Sequence, residues 1–194
     1  FRRVLFRSPT GPPTDWRMSM TKTRKMLNNW DAPYIQSLVK LIETQSKSTL
    51  AHWAVNYAGQ VLLPLWCKHY PDDLRPQNAL TAAKNWLSGA IKLPQAKKTI
   101  LECHAAAREA EANPAAQAAA RAIGQSASTI HTARHCIGLA LYGALAVAYD
   151  SLGTNTPWNQ LEQCAAAECG RMLDALRAVA VENEPNPAKI DWNC

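Results

Sequence analysis

Apolar side chains recur at spacings of three and four residues along most of the chain, which predicts amphipathic α-helices. Asp31 is expected to cap the first helix, with Pro33 in its first turn. The apolar stripe of this helix comprises Ile35, Leu38, Val39, Leu41 and Ile42. Such a stripe predicts one face directed into a core, with polar residues on the opposite face.

A second stripe predicts a helix that begins at a cap provided by Ser46 or Ser48. Pro64 should kink or end this helix, because proline lacks an amide hydrogen and its ring clashes with the preceding turn. Pro71-Asp72-Asp73 marks the turn that follows. The members of the stripe are Leu50, Trp53, Ala54, Tyr57, Val61 and Leu62.

Prolines at helix starts punctuate the middle of the chain. Pro76 is expected to open a helix that ends near Gly89, and Pro94 is expected to open one that ends near Ala112. Asn113-Pro114 then combines a capping residue with a proline in the first turn, which is typical of a helix start.

The helix after Asn113-Pro114 is nearly all alanine from residue 115 to residue 123. Small side chains let helices approach closely, so this helix suits the centre of a bundle. Hydroxyl side chains cluster between Ser126 and Thr132 and predict a break, since they compete for backbone hydrogen bonds. A further apolar helix should continue to about Leu152.

A last long helix is expected after the Gly153-Thr154-Asn155 loop, with Thr156-Pro157 at its start. Pro185 and Pro187 keep the tail that follows out of a helix. The pattern therefore predicts an all-α, compact single-domain bundle of about six to seven helices over residues 20–183. The tail, residues 184–194, should run extended and pack on the domain through Ile190 and Trp192. Stacked helix pairs are the alternative arrangement.

Residues 1–19 look foreign to this pattern. They lack a helical period, carry four arginines against one aspartate, and resemble translated adapter sequence, so we expect a non-native or disordered leader and a natural start at Met18 or Met20. The whole chain has a formal charge of +6, of which this leader supplies about half. The remaining excess is mild and does not favour a nucleic-acid partner.

Six cysteines occur without a CxxC pair, and most lie in apolar helical runs. With no export signal, buried free thiols and a cytoplasmic location are expected. No uninterrupted apolar run reaches the 18 or so residues that a membrane span needs. The longest, from Gly138 to Tyr149, suits a core helix, and no membrane partner is expected.

His131 and His135 are the sharpest candidates for chemistry, because in a helix they would project from one face and could chelate a transition metal. A third ligand would come from His104, Glu102 or Glu109. The favoured alternative is a structural polar cluster between helices, with no cofactor, since buried polar groups must find partners. Its members would be His104, Arg108, Arg121, Gln125, His131 and His135.

Other catalytic arrangements are weaker. Cys103 and His104 are adjacent and would point about 100° apart on a helix, and no nucleophile-elbow motif surrounds Ser126 or Ser128. Glu162 and Glu168 are expected to lie on an exposed helix surface. Among seven tryptophans, Trp158 and Trp192 are the candidates for an interface, because exposed tryptophan is enriched where proteins bind each other.

Several short motifs are distributed along the chain. They are residues 21–27 (TKTRKML), 30–33 (WDAP), 104–108 (HAAAR), 113–116 (NPAA), 119–125 (AARAIGQ), His131 with His135, Tyr142-Gly143 and 182–190 (ENEPNPAKI). Together they resemble the immunity-protein-five-like (Imm-5-like) family of bacterial immunity proteins. The resemblance implies a non-enzymatic protein that binds a cognate toxin and neutralises it by occlusion. A metal-dependent helical enzyme using His131, His135 and His104 is the alternative.

Overall fold

The computed structural model describes residues 23–192, so the predicted leader and Cys194 lie outside the described residues. This part of the chain is helical and contains no strand, which confirms the predicted all-α fold. The α-helices are α1 Pro33–Ile42, α2 Lys47–Tyr57, α3 Leu63–His69, α4 Arg75–Leu87, α5 Leu93–Glu109, α6 Pro114–Ser128, α7 Leu145–Leu152 and α8 Trp158–Arg177.

Two predicted caps form as hydrogen bonds. The Ser46 side chain accepts from the backbone N–H of Thr49 (3.2 Å), and the Asn113 side chain accepts from that of Ala116 (3.1 Å). Each satisfies a donor that the first turn of a helix leaves without a partner. The prediction for α1 is wrong in detail, because Ala32 rather than Asp31 occupies the capping position and provides no side-chain bond.

Pro64 does not end the helix, which was one of its two expected effects. Between α2 and α3 the chain forms a π-helical turn, Ala58–Leu62, after which the Leu63 N–H bonds to the carbonyl of Ala58, and Pro64 follows directly. The chain thus remains helical from Lys47 to His69, and the proline, which lacks an amide hydrogen, is accommodated next to the π-helical turn.

The predicted break near residue 126 lies slightly later. Helix α6 ends at Ser128, and a 3-10 turn, Ala133–Cys136, and a π-helical segment, Leu139–Ala144, lead into α7. The Ser128 hydroxyl donates to the carbonyl of Gly124 (2.8 Å), and the Thr129 hydroxyl donates to that of Gln125 (3.3 Å). These bonds back onto the preceding turn are the competition that hydroxyl side chains offer near a helix end.

Helix α6 is the central element, and α2, α3, α4, α5 and α7 all pack against it. Its alanine side chains occupy little of the space between helices, so neighbouring backbones approach closely. Glycine also allows close packing: a methyl group on Gly143 would lie 2.9 Å from Leu62 Cδ1. Helix α8 packs outside this core, against α1, α2 and α7.

The segment after α8 contacts the body through Gln45, which is only 2% exposed in the turn between α1 and α2. The Gln45 side chain accepts from the Val181 N–H (2.7 Å) and donates to the Val181 carbonyl (3.2 Å). Its backbone carbonyl accepts from the Ala188 N–H (2.8 Å). One buried residue therefore holds this segment at two points, through its side-chain amide and through its backbone carbonyl.

The helical stretch Ala133–Leu152 is long and apolar enough, by length and composition, to cross a membrane. It exceeds the 12-residue apolar run expected from the sequence because it also includes polar residues, Arg134 and Asp150 among them. In the most apolar part of this stretch, 67% of the residues are buried inside the protein. A buried core helix can have the same length and composition as a membrane-spanning helix.

Candidate functional site

The interface between α5 and α6 brings His104 against the backbone of α6. A methyl group on Gly124 would lie 2.5 Å from Cε1 and 2.7 Å from Nδ1 of the His104 ring, so a larger residue there would force the ring to move. His104 Nδ1 is buried and has no hydrogen-bond partner among the described residues. The ring thus packs directly against the backbone of α6 at Gly124.

His135 pairs with a side chain of α6. Its Nδ1 lies 2.7 Å from Oε1 of Gln125, a distance at which a ring protonated at Nδ1 donates a hydrogen bond to the amide oxygen. Gly138 makes room for this pair, because a methyl group there would lie 2.5 Å from Gln125 Cβ.

His131 and His135 do not share a helix face, because His131 lies in the turn before the 3-10 segment and Thr132 is extended. Their rings are nevertheless close, with centroids 5.5 Å apart at a 58° tilt. The Nδ1 atom of His131 is buried without a partner in the described structure.

All three histidines of the predicted cluster are held neutral. Burial, and then the positive charges of Arg121 and its neighbours, lowers the pKa of His104 to about 4. The pKa values of His131 and His135 are also lowered, chiefly by burial. At neutral pH these three histidines therefore add no positive charge to that of Arg108 and Arg121.

The remaining members of the predicted polar cluster are placed less tightly. Arg121 is half-buried on α6 and Arg108 is exposed on α5, and both act electrostatically on His104. Within residues 23–192, the pair Gln125–His135 is the one hydrogen bond that joins two of the six predicted side chains. The six residues share a region, but they do not form a continuous network there.

The metal prediction lacks a ligand set in the described part of the chain, where no group of three or more His, Cys, Asp or Glu side chains is arranged to hold an ion. Buried thiols offer no nucleophile either. Burial raises the pKa of Cys103 and of Cys169 to about 12, and that of Cys136 further still. The five described cysteines are all free.

A pocket of about 270 Å³ lies beside the histidines, between the predicted polar cluster and the tail. Gln125 and His135 form one side, and Trp30, Tyr142 and Trp192 are among the residues that line the rest. Trp30 and Trp192 contact each other with ring centroids 5.3 Å apart. We call this site the tryptophan pocket. Its mixture of aromatic surface and a few polar groups is typical of binding sites.

Trp192, one of the two predicted interface residues, is fixed at the tryptophan pocket. Its Nε1–H donates to Glu43 Oε1 (2.8 Å), while its ring packs on Trp30. Trp30 and Glu43 were not predicted from the sequence, because both contacts join the tail to a distant part of the chain.

Trp158, the other predicted interface residue, lies elsewhere, at the start of α8. Its Nε1–H donates to Glu162 Oε2 (3.0 Å), and the guanidinium of Arg24 lies 3.7 Å from its ring centroid. The hydroxyl of Tyr34 donates to the other oxygen of Glu162 (3.0 Å). Trp158 is half-buried and oriented by these contacts.

Glu168 corrects the sequence prediction, which placed it on an exposed surface. It is 2% exposed, accepts from the Tyr57 hydroxyl (2.7 Å) and pairs with Arg171, whose Nε donates to it (2.7 Å). The helical spacing could have predicted this burial, since Glu168 lies three residues after Ala165 and four before Met172, both buried on the same face.

Fold and site together define an all-α protein built around an alanine-rich central helix, with a preformed aromatic pocket at its surface. A family model described as Imm-5 like putative immunity protein matches residues 40–175, more than two-thirds of the chain. The chain therefore belongs to this family, which confirms the resemblance found in its motifs. No curated protein and no solved structure shows a significant match.

Proposed function

We propose that this protein is an immunity protein that binds a cognate bacterial toxin and neutralises it by occlusion, without catalysis. Membership of the Imm-5 like family, over residues 40–175, is the observation that carries this proposal. The toxin is a protein partner, and no nucleic acid, membrane or cofactor is part of the proposed action.

Occlusion requires a surface that is already in its binding conformation, because ordering side chains on association costs affinity. The two candidate tryptophans meet this requirement. Each has its indole N–H bonded to a carboxylate, from Glu43 or Glu162, and its ring packed against a neighbour. Aromatic side chains held in this way supply contact area at low entropic cost.

The proposed place of action is the cytoplasm. Five cysteines lie within the described residues, and all are unpaired although three are buried. Free thiols persist in reducing compartments, where glutathione and thioredoxin keep them reduced. An antidote that meets its toxin inside the producing cell would work under such conditions.

The experiment that tests the proposal uses the toxin candidate encoded next to this gene. We expect co-expression of the two proteins to restore growth, and the two to co-purify as a complex. Trp192→Ala should weaken the complex by about tenfold or more, as expected when an aromatic anchor is removed. Leu101→Ala serves as the matched control, because Leu101 is an exposed apolar residue (67%) that lines neither the tryptophan pocket nor the contacts of Trp158.

A titration separates occlusion from catalysis. If the protein acts by binding, toxin activity falls in proportion to added protein and reaches its minimum near a one-to-one ratio. Loss of toxin activity at a small fraction of that ratio would instead indicate turnover. Failure of both growth rescue and complex formation would remove the proposed function.

A further inference from the structure

A second concave surface is lined in part by Glu43, whose carboxylate also accepts a hydrogen bond from Trp192 of the tryptophan pocket. It has a volume of about 560 Å³ and runs between the end of α1 and the segment after α8. We call it the acidic groove, and its lining includes Leu41, Glu43, Gln45, Val181, Glu182 and Glu184.

The walls of the acidic groove are fixed before any partner arrives. Gln45 forms hydrogen bonds with both the N–H and the carbonyl of Val181, and its own carbonyl binds the N–H of Ala188. The backbone turns sharply between these two contacts, where Asn183 adopts a positive φ of 54°. A segment held at both ends presents a defined shape, which lowers the cost of binding.

The groove exposes apolar surface that the fold does not use. Val181 is 45% exposed, and Val179, two residues earlier, is 49% exposed. Both belong to the small set of large apolar side chains that the described protein leaves in contact with water. Leu41, Ala180 and Pro187 extend this apolar surface along the groove.

The ionisable side chains that line the groove are all acidic. They are Glu43, Glu182 and Glu184, and the lining contains no Lys, Arg or His. The chain carries a formal charge of +6, about half of which comes from residues 1–19, so the rest of the chain is mildly basic. The groove is therefore a locally acidic surface on a mildly basic protein, and it would attract a partner of the opposite charge.

We propose that the acidic groove is the docking site for a segment of the toxin in which an apolar side chain is flanked by lysine or arginine. This inference rests on the proposed function. The apolar side chain packs on Val181 and Leu41, and the flanking cations meet the three carboxylates. Because Glu43 also holds Trp192, the groove and the tryptophan pocket form one continuous face for the same partner.

The test measures binding of the neighbouring-gene toxin to purified full-length protein by biolayer interferometry, at low and high salt. Glu182→Lys places a cation at the groove and should weaken binding about tenfold at low salt, with a smaller difference at high salt because ions screen the repulsion. Glu111→Lys makes the same charge change at an exposed residue outside the groove and should change binding less than twofold.

A second pair of variants tests the apolar contact. Val181→Ser should weaken binding several-fold at both salt concentrations, since apolar packing is not screened by ions. Leu101→Ser is its control, as an equally apolar side chain exposed on α5. Circular dichroism and thermal unfolding establish that all four variants retain the fold.

The outcomes separate this inference from the function it rests on. If wild type binds the toxin and Glu182→Lys and Val181→Ser bind equally well, the groove is overturned and the immunity function stands. If Glu182→Lys binds more tightly, the partner segment is acidic and the inference is wrong. If the variants instead change the oligomeric state of the protein alone, the groove belongs to a second copy of this chain. If wild type forms no complex, both proposals fail.

Discussion

Replacing Gly124 by alanine tests whether the contact between α5 and α6 is as close as the structure indicates. In the interior of a helix, alanine is ordinarily more stable than glycine by about 0.5–1 kcal/mol, because glycine loses more backbone entropy on folding. Here the added methyl group would lie 2.5 Å from His104 Cε1 and 3.0 Å from Nε2. Overpacking of this kind costs about 1–3 kcal/mol.

The overpacking term exceeds the gain in helix propensity, so we expect Gly124→Ala to lower the free energy of unfolding by about 1–2 kcal/mol. For a chain of this length that corresponds to a fall in Tm of about 2–8 °C. Urea unfolding followed by circular dichroism at 222 nm, together with thermal unfolding, measures both quantities. A His104 ring that moved to relieve this contact would lose its packing against α6, which is the source of the expected cost.

Two further variants isolate the cause. Gly170 lies inside α8 with no atom near the position of an added methyl group, so Gly170→Ala should raise the free energy of unfolding by about 0.5–1 kcal/mol. In a His104→Ala background the clash is absent, and Gly124→Ala should then be stabilising by a similar amount. A Gly124→Ala protein that is as stable as the Gly170→Ala protein would refute the close packing of His104.

Three further predictions concern buried or neutral polar groups. Tyr57→Phe removes the hydroxyl bonded to the Glu168 carboxylate and should lower the free energy of unfolding by about 1.5–3 kcal/mol, measured in urea. Because the pKa of His104 falls from 6.5 to about 4 on folding, the unfolded chain binds an extra proton between these values, so stability should decrease as the pH is lowered from 6.5 towards 4. His131 and His135 shift in the same direction and add to this loss. Addition of a chelator should leave Tm unchanged, because the described residues bring no three ligands together.

Each of these predictions has a control. Tyr142→Phe removes a hydroxyl that makes no hydrogen bond within the described structure, so it should change stability by less than about 0.5 kcal/mol. His104→Asn should flatten the dependence of stability on pH. A wild-type stability that is constant or increases on acidification would contradict the conclusion that these histidines are neutral in the folded protein. Stoichiometric metal in protein purified without a histidine tag, together with a fall in Tm on chelation, would favour the metal-binding alternative.

The sequence predicts local features of the fold well, because these depend on neighbouring residues. Ser46 and Asn113 cap their helices through atoms three residues away, and the alanine run of α6 predicts its central position. Pro64 shows the limit of such reasoning. The chain stays helical across Pro64, directly after a π-helical turn, and local spacing did not predict that turn.

The candidate site was less predictable, because its contacts join distant segments. The bond from Trp192 to Glu43 spans 149 residues and those of Gln45 to Val181 span 136, and nothing in local spacing indicates either. His131 and His135 were predicted to be close because they would share a helix face. Their rings are close, but the two residues do not lie on one helix. Glu168 is different, since its register on α8 was readable and the charge alone led to the wrong prediction.

Two pairs of buried polar groups have different consequences. Near α5 and α6, His104 and His131 each keep a buried nitrogen without a partner in the described structure, which costs stability and must be offset by packing. On the side of α1, α8 and the tail, Gln45 and Glu168 are buried and fully engaged in hydrogen bonds. Satisfied buried groups fix the geometry around them, because any displacement breaks several bonds together.

Of these two satisfied residues, Gln45 lies at the face proposed to bind the toxin. Gln45 fixes the segment that carries Val181, and the same turn of the chain carries Glu43, which orients Trp192. Gln45→Ala would therefore release the backbone of this segment and strip its buried donors and acceptors of partners. If binding depends on a preformed face, this variant should weaken toxin binding mainly through faster dissociation, although Gln45 itself is only 2% exposed and offers a partner little contact area.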